Sequence, residues 1–188
     1  MYKLIILLSI ITLNTDESIL TIEINNSKTV CFNKQKIEID NPENITFLND
    51  YDRKIHKIKK IPFEKKSKSF KTYRHMITYG ELGLQIGGKT TTRRIKDLSN
   101  LWIKDLIISF KEQQKIDIKV LDVKINHLTT YDDIYNNKTL KPYLRTIFYD
   151  DTGELHKQVI FIDLEHHYVT IEFGDTNSIG KVSQVRIS

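Results

Sequence analysis

The sequence predicts an α+β fold built of two similar units, each a short helix packed on an antiparallel β-sheet. Three observations carry that expectation. Residues 147–187 read as a β-meander, with an apolar run at 159–162, then Val169, Ile171 and Phe173, then Val182, Val185 and Ile187, and with breaks at 151–153 and 174–180. Two helix-start signals, at Asn41-Pro42 and at 129–133, each sit between β-like runs. Tyr79 and Gly83 in the first half and Tyr149 and Gly153 in the second share a Tyr-x-x-x-Gly spacing after the helix, so two copies of one supersecondary unit account for the layout economically.

Taken in order, Met1-Tyr2-Lys3 and the apolar residues 4–13 have the pattern of a basic n-region and an h-region. Residues 1–18 are therefore expected to be a signal peptide and the protein to be exported, periplasmic or extracellular. The same run also suits a buried strand of a cytoplasmic protein, and it is too short to span a bilayer as a helix. The first unit covers 19–115. Its β-like runs at 20–24, 29–32 and 36–39 are separated by turn-forming residues at 25–27 and 33–35. Asn41 is expected to cap a short helix ending near Tyr51, with Pro42 at its first position and Glu43 favourably placed on its dipole. Strands resume at 75–86 and end at Gly87-Gly88, and 106–110 is one more.

The second unit covers 116–188. A strand over 116–125 leads to a helix capped by Thr129 or Thr130, with Asp132 and Asp133 in its first turn. That helix is expected to reach toward Leu144 with an interruption at Pro142, and the meander follows. The two-sided apolar run at 159–162 marks a central strand with half-exposed neighbours.

Net charge is +5, yet it is concentrated. Residues 53–74 hold 10 Lys/Arg and one acid, Glu64, while the other 166 residues carry 19 basic and 23 acidic groups. The protein is thus mildly acidic with one basic insert, and the whole-chain charge is no argument for a nucleic-acid binder. The insert also holds Phe63, Phe70 and Tyr73, so it reads as an exposed hairpin or loop that suits a protein partner, and less well a nucleic-acid backbone or an anionic membrane. Its candidate partner-binding residues are Lys57, Lys59, Lys60, Lys65, Lys66 and Tyr73.

Chemistry-bearing constellations are sparse. Asp163, Glu165, His166, His167 and Asp175 form the best cluster, but strand alternation sends His167 to the face of Val169 and His166 to the face of Tyr168, and diverging histidines cannot share a metal. Asp132-Asp133 and Asp150-Asp151 stand where a helix first turn and a β-turn call for Asp on structural grounds. Cys31, the single cysteine, lies between Val30 and Phe32 and reads as a small buried hydrophobe. Gly87-Gly88-Lys89 echoes a phosphate loop without the upstream glycine that such a loop needs. No Gly-x-Ser-x-Gly elbow is present. No catalytic residue, metal or cofactor is expected.

The first-half pattern, TIEINNSKTVCFNKQKIEI, a short helix and a strand ending ITYGELGLQI, is similar to an uncharacterised bacterial domain family in which paired strands precede a helix and an acid-Leu-Gly-containing strand. The second half resembles the helix-plus-meander unit of the β-lactamase-inhibitor-protein-like and outer-membrane-assembly lipoprotein families. The resemblance implies a non-enzymatic, protein-binding bacterial module. Its most concrete form is an immunity-type inhibitor that occludes a cognate toxin, and the alternative is an exported structural or envelope-assembly factor. The basic insert departs from that pattern.

Overall fold

Isoleucine, valine and aromatic residues alternate with polar ones in many stretches of this chain, and that pattern favours pleated strands with one buried side. The computed structural model describes residues 20–43, 45–57, 73–91, 94–95, 98, 101–110, 116–148, 158–174 and 180–188. Among them the strands are β1 (Leu20–Ile24), β2 (Thr29–Phe32), β3 (Gln35–Glu38), β4 (Pro42–Glu43), β5 (Lys54–Lys57), β6 (Tyr73–Tyr79), β7 (Leu84–Thr90) and β8 (Leu101–Ser109). They continue with β9 (Ile116–Val120), β10 (Val123–Ile125), β11 (Leu144–Phe148), β12 (Gln158–Asp163), β13 (Tyr168–Phe173) and β14 (Val182–Ile187). One α-helix, α1 (Tyr131–Tyr135), is joined by three single-turn 3-10 segments.

The α+β expectation is overturned: the described residues are mostly β, with two large sheets and one short helix among them. The five-stranded sheet has the order β10-β9-β1-β2-β3, and the nine-stranded sheet runs β11-β12-β13-β14-β8-β7-β6-β5 with β4 added on β8. Among the described strands, pairing is antiparallel except between β1 and β9, which run parallel with Ile22 beside Ile118. Each sheet draws strands from both halves of the sequence, so the helix-plus-sheet units expected from the repeat do not form separately. The reason is burial. A short sheet exposes an apolar face, and the inward residues of both sheets, among them Ile22, Phe32, Ile118, Ile86, Ile108, Ile171 and Val185, bury it in one continuous core.

Local chemistry explains why one expected helix is replaced and the other is short. At Asp40, with φ at +75°, the chain turns and its N–H bonds to the Ile103 carbonyl; Pro42 and Glu43 then pair with Trp102 and Leu101. The Glu43 carboxylate accepts from the Glu38 N–H at 2.8 Å, a local bond that competes with a helix dipole contact. Only a 3-10 turn, Thr46–Leu48, remains of the expected helix. The second helix starts where expected, because Thr130 and Asp133 form a reciprocal capping box, but it stops after five residues. Pro142 then falls in the 3-10 turn Lys141–Tyr143, and β11 begins at Leu144.

The three runs at the start of the described chain become β1, β2 and β3 nearly at their expected bounds. The β2–β3 and β9–β10 connections are two-residue hairpins with positive φ at both residues, Asn33-Lys34 and Leu121-Asp122, as the strand twist demands. In the meander, β12 is an internal strand between β11 and β13, in agreement with its two-sided apolar run. Residues 1–18 lie outside the described residues.

Candidate interaction face

The outward face of the nine-stranded sheet carries charged side chains and a part-exposed tryptophan. On β6, His75, Ile77 and Tyr79 turn to the core, so Arg74, Met76 and Thr78 turn outward. Their cross-strand partners on β7 are Lys89, Gly87 and Gln85, and on β8 these continue into Trp102, Asp105 and Ile107. Trp102 is 36 % exposed.

Strict alternation breaks between Ile103 and Leu106, both of which reach the core. A register shift opposite Gly87 and Gly88 absorbs the extra residue, which keeps Lys104 and Asp105 both out of the apolar interior. The two glycines make this arrangement possible. A Cβ at Gly87 would stand 2.7 Å from Asp105 Oδ2, and one at Gly88 would stand 2.6 Å from Leu101 Cδ1. Gly87-Gly88 therefore continue β7 through its bulge, correcting the expectation that they end the strand. Over the bulge lies an open pocket of about 350 Å³, lined by Arg74, Met76, Gly87, Gly88, Lys89, Lys104 and Asp105.

Two ion pairs flank this pocket. Asp105, largely covered, faces Arg186 at 3.6 Å, and Lys104 pairs with Asp40. Arg74 and Lys89 stand directly opposite each other across β6 and β7. On the outward face of the other sheet, Lys119 pairs with Glu23 at 3.1 Å and Lys124 with Asp117 at 3.1 Å.

Of the residues singled out in the basic insert, Lys57 ends β5 opposite His75, and Tyr73 is half-buried in β6 opposite Thr90. Lys59, Lys60, Lys65 and Lys66 lie outside the described residues. The insert thus begins and ends in paired strands of the sheet that bears the pocket. Arg53, at its start, donates to Asn49 Oδ1 at 2.7 Å and lies by the Tyr79 phenol, which burial pushes up and the guanidinium draws back down. Sequence reasoning did not single out Arg74, Lys89, Lys104, Asp105 or Trp102 as one surface. A usable signal was the Lys104-Asp105 break in an otherwise alternating strand, combined with the glycine pair.

The histidine pair diverges as expected: His167 is 2 % exposed while His166 faces solvent. Among the described residues, neither His167 ring nitrogen finds a hydrogen-bond partner. Burial lowers its pKa, the nearby backbone of Ser27 and Lys28 opposes that shift, and His166 adds to it. Asp163 and Glu165 are exposed, and Glu165 lies 3.5 Å from His166. Asp175, Asp150 and Asp151 fall outside the described residues. Asp132 and Asp133 occupy the first turn of α1. Cys31 is half-buried on the outward face of its sheet, because Val30 and Phe32 take the core side. Among the described residues, no group of three or more His, Cys, Asp or Glu is placed to hold a metal ion, and no helix is long and apolar enough to cross a membrane.

Comparison of the chain with protein-family models, with curated proteins and with solved structures finds no match.

Proposed function

We propose that this protein is a non-enzymatic protein-binding module whose recognition surface is the outward face of the nine-stranded sheet. The observation that carries the reading is the juxtaposition on β6, β7 and β8 of a cation-lined pocket with the part-exposed Trp102. Arginine and tryptophan are the residue types in which interface energy concentrates, and an extended strand face holds such anchors at fixed spacing. The more specific form of the reading is an immunity-type inhibitor that occludes a cognate bacterial toxin, which follows from the sequence resemblance.

Co-expression with the product of a neighbouring gene tests it. The expected outcome is relief of that product's toxicity and co-elution of the two proteins as a stable complex. Toxicity that persists at full expression of this chain, with no complex, rejects the inhibitor.

A further inference from the structure

We infer that protonation of His167 opens the end of the β1–β2 hairpin away from the nine-stranded sheet, so that the fold carries an acid-released latch between its two sheets. His167 closes the turn between β12 and β13, where its carbonyl accepts the Leu164 N–H at 3.0 Å. Its ring is buried beside the backbone of Ser27 and Lys28, in the turn between β1 and β2. That turn belongs to the five-stranded sheet, so the imidazole sits where the two sheets meet. A second contact crosses the same junction: Asn26 Nδ2 donates to the Tyr143 hydroxyl at 3.2 Å, and Tyr143 lies in the 3-10 turn that leads into β11. Behind the junction, Ile24 and Val30 from one sheet and Leu164 and Val169 from the other are buried in the common core.

A neutral imidazole without hydrogen-bond partners is tolerated there, whereas an imidazolium would bring a charge into apolar surroundings. Among the described residues, the charged and titratable groups around the junction do not compensate it. On its own turn, His166 repels a proton on the ring, Glu165 is turned to His166 at 3.5 Å, and Asp163 is exposed at the end of β12. From the β1–β2 hairpin come Lys28, which is exposed, and Glu23, which is engaged with Lys119. From the 3-10 turn come the exposed Lys141 and the Tyr143 phenol. The Ser27 and Lys28 backbone favours the proton, but burial outweighs it.

The hairpin is the side free to move. Asn25, Asn26, Ser27 and Lys28 are all exposed, whereas β13 is bonded on both sides, by β12 and by β14, and Tyr168 and Ser188 exchange bonds of 2.9 and 3.0 Å. Proton linkage sets the sign and size. The docked ring titrates lower than an open one, so docking is at full strength above pH about 6.5 and weakens below it, until the docked ring also protonates. One pH unit below that value the open population rises about ten-fold while the docked ring is still neutral.

Amide hydrogen exchange of the full chain at pH 7.5 and pH 5.5, followed by NMR and divided by the intrinsic rate at each pH, tests this. Thr29–Phe32 of β2 report on the hairpin, and Leu101–Ser109 of β8 report on the common core. The β2 amides are expected to be less protected than those of β8, to exchange with little dependence on low urea, and to lose about ten-fold protection between the two pH values. The His167 ring should titrate over the same range. In His167→Gln, and in His167→Leu as a second variant, the loss should shrink below about two-fold. Exchange of β2 only together with β8, with equal urea dependence, overturns the latch, since acid would then act through global unfolding. A loss of protection that persists in the folded variants, or that precedes titration of the ring, overturns it too, as does β2 protection that stays the same at both pH values.

Discussion

The carboxylate of Asp105 rests against the backbone of Gly87, so closely that a Cβ at Gly87 would lie 2.7 Å from Oδ2 and 2.9 Å from Cγ. An alanine there must push Asp105 off its place beside Arg186. Gly87→Ala is expected to destabilise the protein by about 1–3 kcal/mol, the range for overpacking. In the Asp105→Ala background the obstructing carboxylate is gone, so the same substitution should cost measurably less. Urea unfolding of the four proteins in the cycle checks this, and additive costs would contradict the contact.

Gly83 is under a harder constraint. It has φ at +66°, and a Cβ there would lie 2.5 Å from the Ser109 carbonyl oxygen, a backbone atom held by the β8 ladder. The Gly83 carbonyl itself accepts the Ser109 N–H at 2.8 Å. Gly83→Ala should cost about 2 kcal/mol or more, through left-handed strain and displacement of β8 together. A thermal midpoint within one degree of wild type would refute it.

Lys34 invites the opposite change. It is exposed, with φ at +68°, as the second residue of the Asn33-Lys34 hairpin turn. Lys34→Gly supplies the Asn-Gly pair that this turn type prefers, and it should stabilise by about 0.5–1 kcal/mol, or roughly 1–4 °C in Tm for a chain of this size. Calorimetry gives the sign directly.

The α1 capping box makes a mutational and a pH prediction. Thr130 N–H donates to Asp133 Oδ2 at 2.8 Å and Thr130 Oγ1 does so at 2.7 Å, while Asp133 N–H returns a bond to Thr130 Oγ1 at 3.2 Å. Thr130→Ala should lose about 0.5–2 kcal/mol at pH 7. The Thr130 backbone N–H, then its hydroxyl, hold Asp133 below the usual carboxylate range. A depressed folded pKa stabilises above the unfolded value and is lost as pH falls through the folded one. The gap between wild type and Thr130→Ala in urea midpoint should therefore narrow as pH drops below about 4.

His167 titrates in the other direction from a salt-bridged histidine. Its folded pKa is lowered, chiefly by burial, so the folded state takes up a proton less readily than the unfolded chain. Stability is unaffected above the unfolded value of about 6.5 and declines as pH falls below it, until the folded ring also protonates. Between pH 7.5 and pH 5.5 the wild type should lose more stability than His167→Leu, as measured by urea midpoints. Equal losses would remove His167 as the cause.

How much was legible in advance can be read off particular residues. Strands β1, β2 and β3, the turn at Asn33-Lys34, the Thr130 helix start and the divergence of His166 from His167 follow from alternation and capping, which are properties of a few neighbouring residues. The Asn41 helix failed because Glu43 bonds to the Glu38 N–H and Pro42 pairs with Trp102, and the second of these partners is 60 residues away. Cys31 was expected inside; its neighbours Val30 and Phe32 claimed the core side of the strand.

The sequence by itself determined that the chain is rich in strands, where several of them begin and turn, which side chains on each strand share a face, and that its basic excess sits in one insert. These are short-range matters of sterics, hydrogen bonding and periodicity. Only the tertiary structure decided that strands from both halves interleave into two sheets over one core, with β1 beside β9 and β14 beside β8. Only it brought Arg74, Lys89 and Lys104 around Asp105. Long-range pairing follows from which combination of faces buries the most apolar surface, a property of all the strands at once that no single stretch of sequence contains.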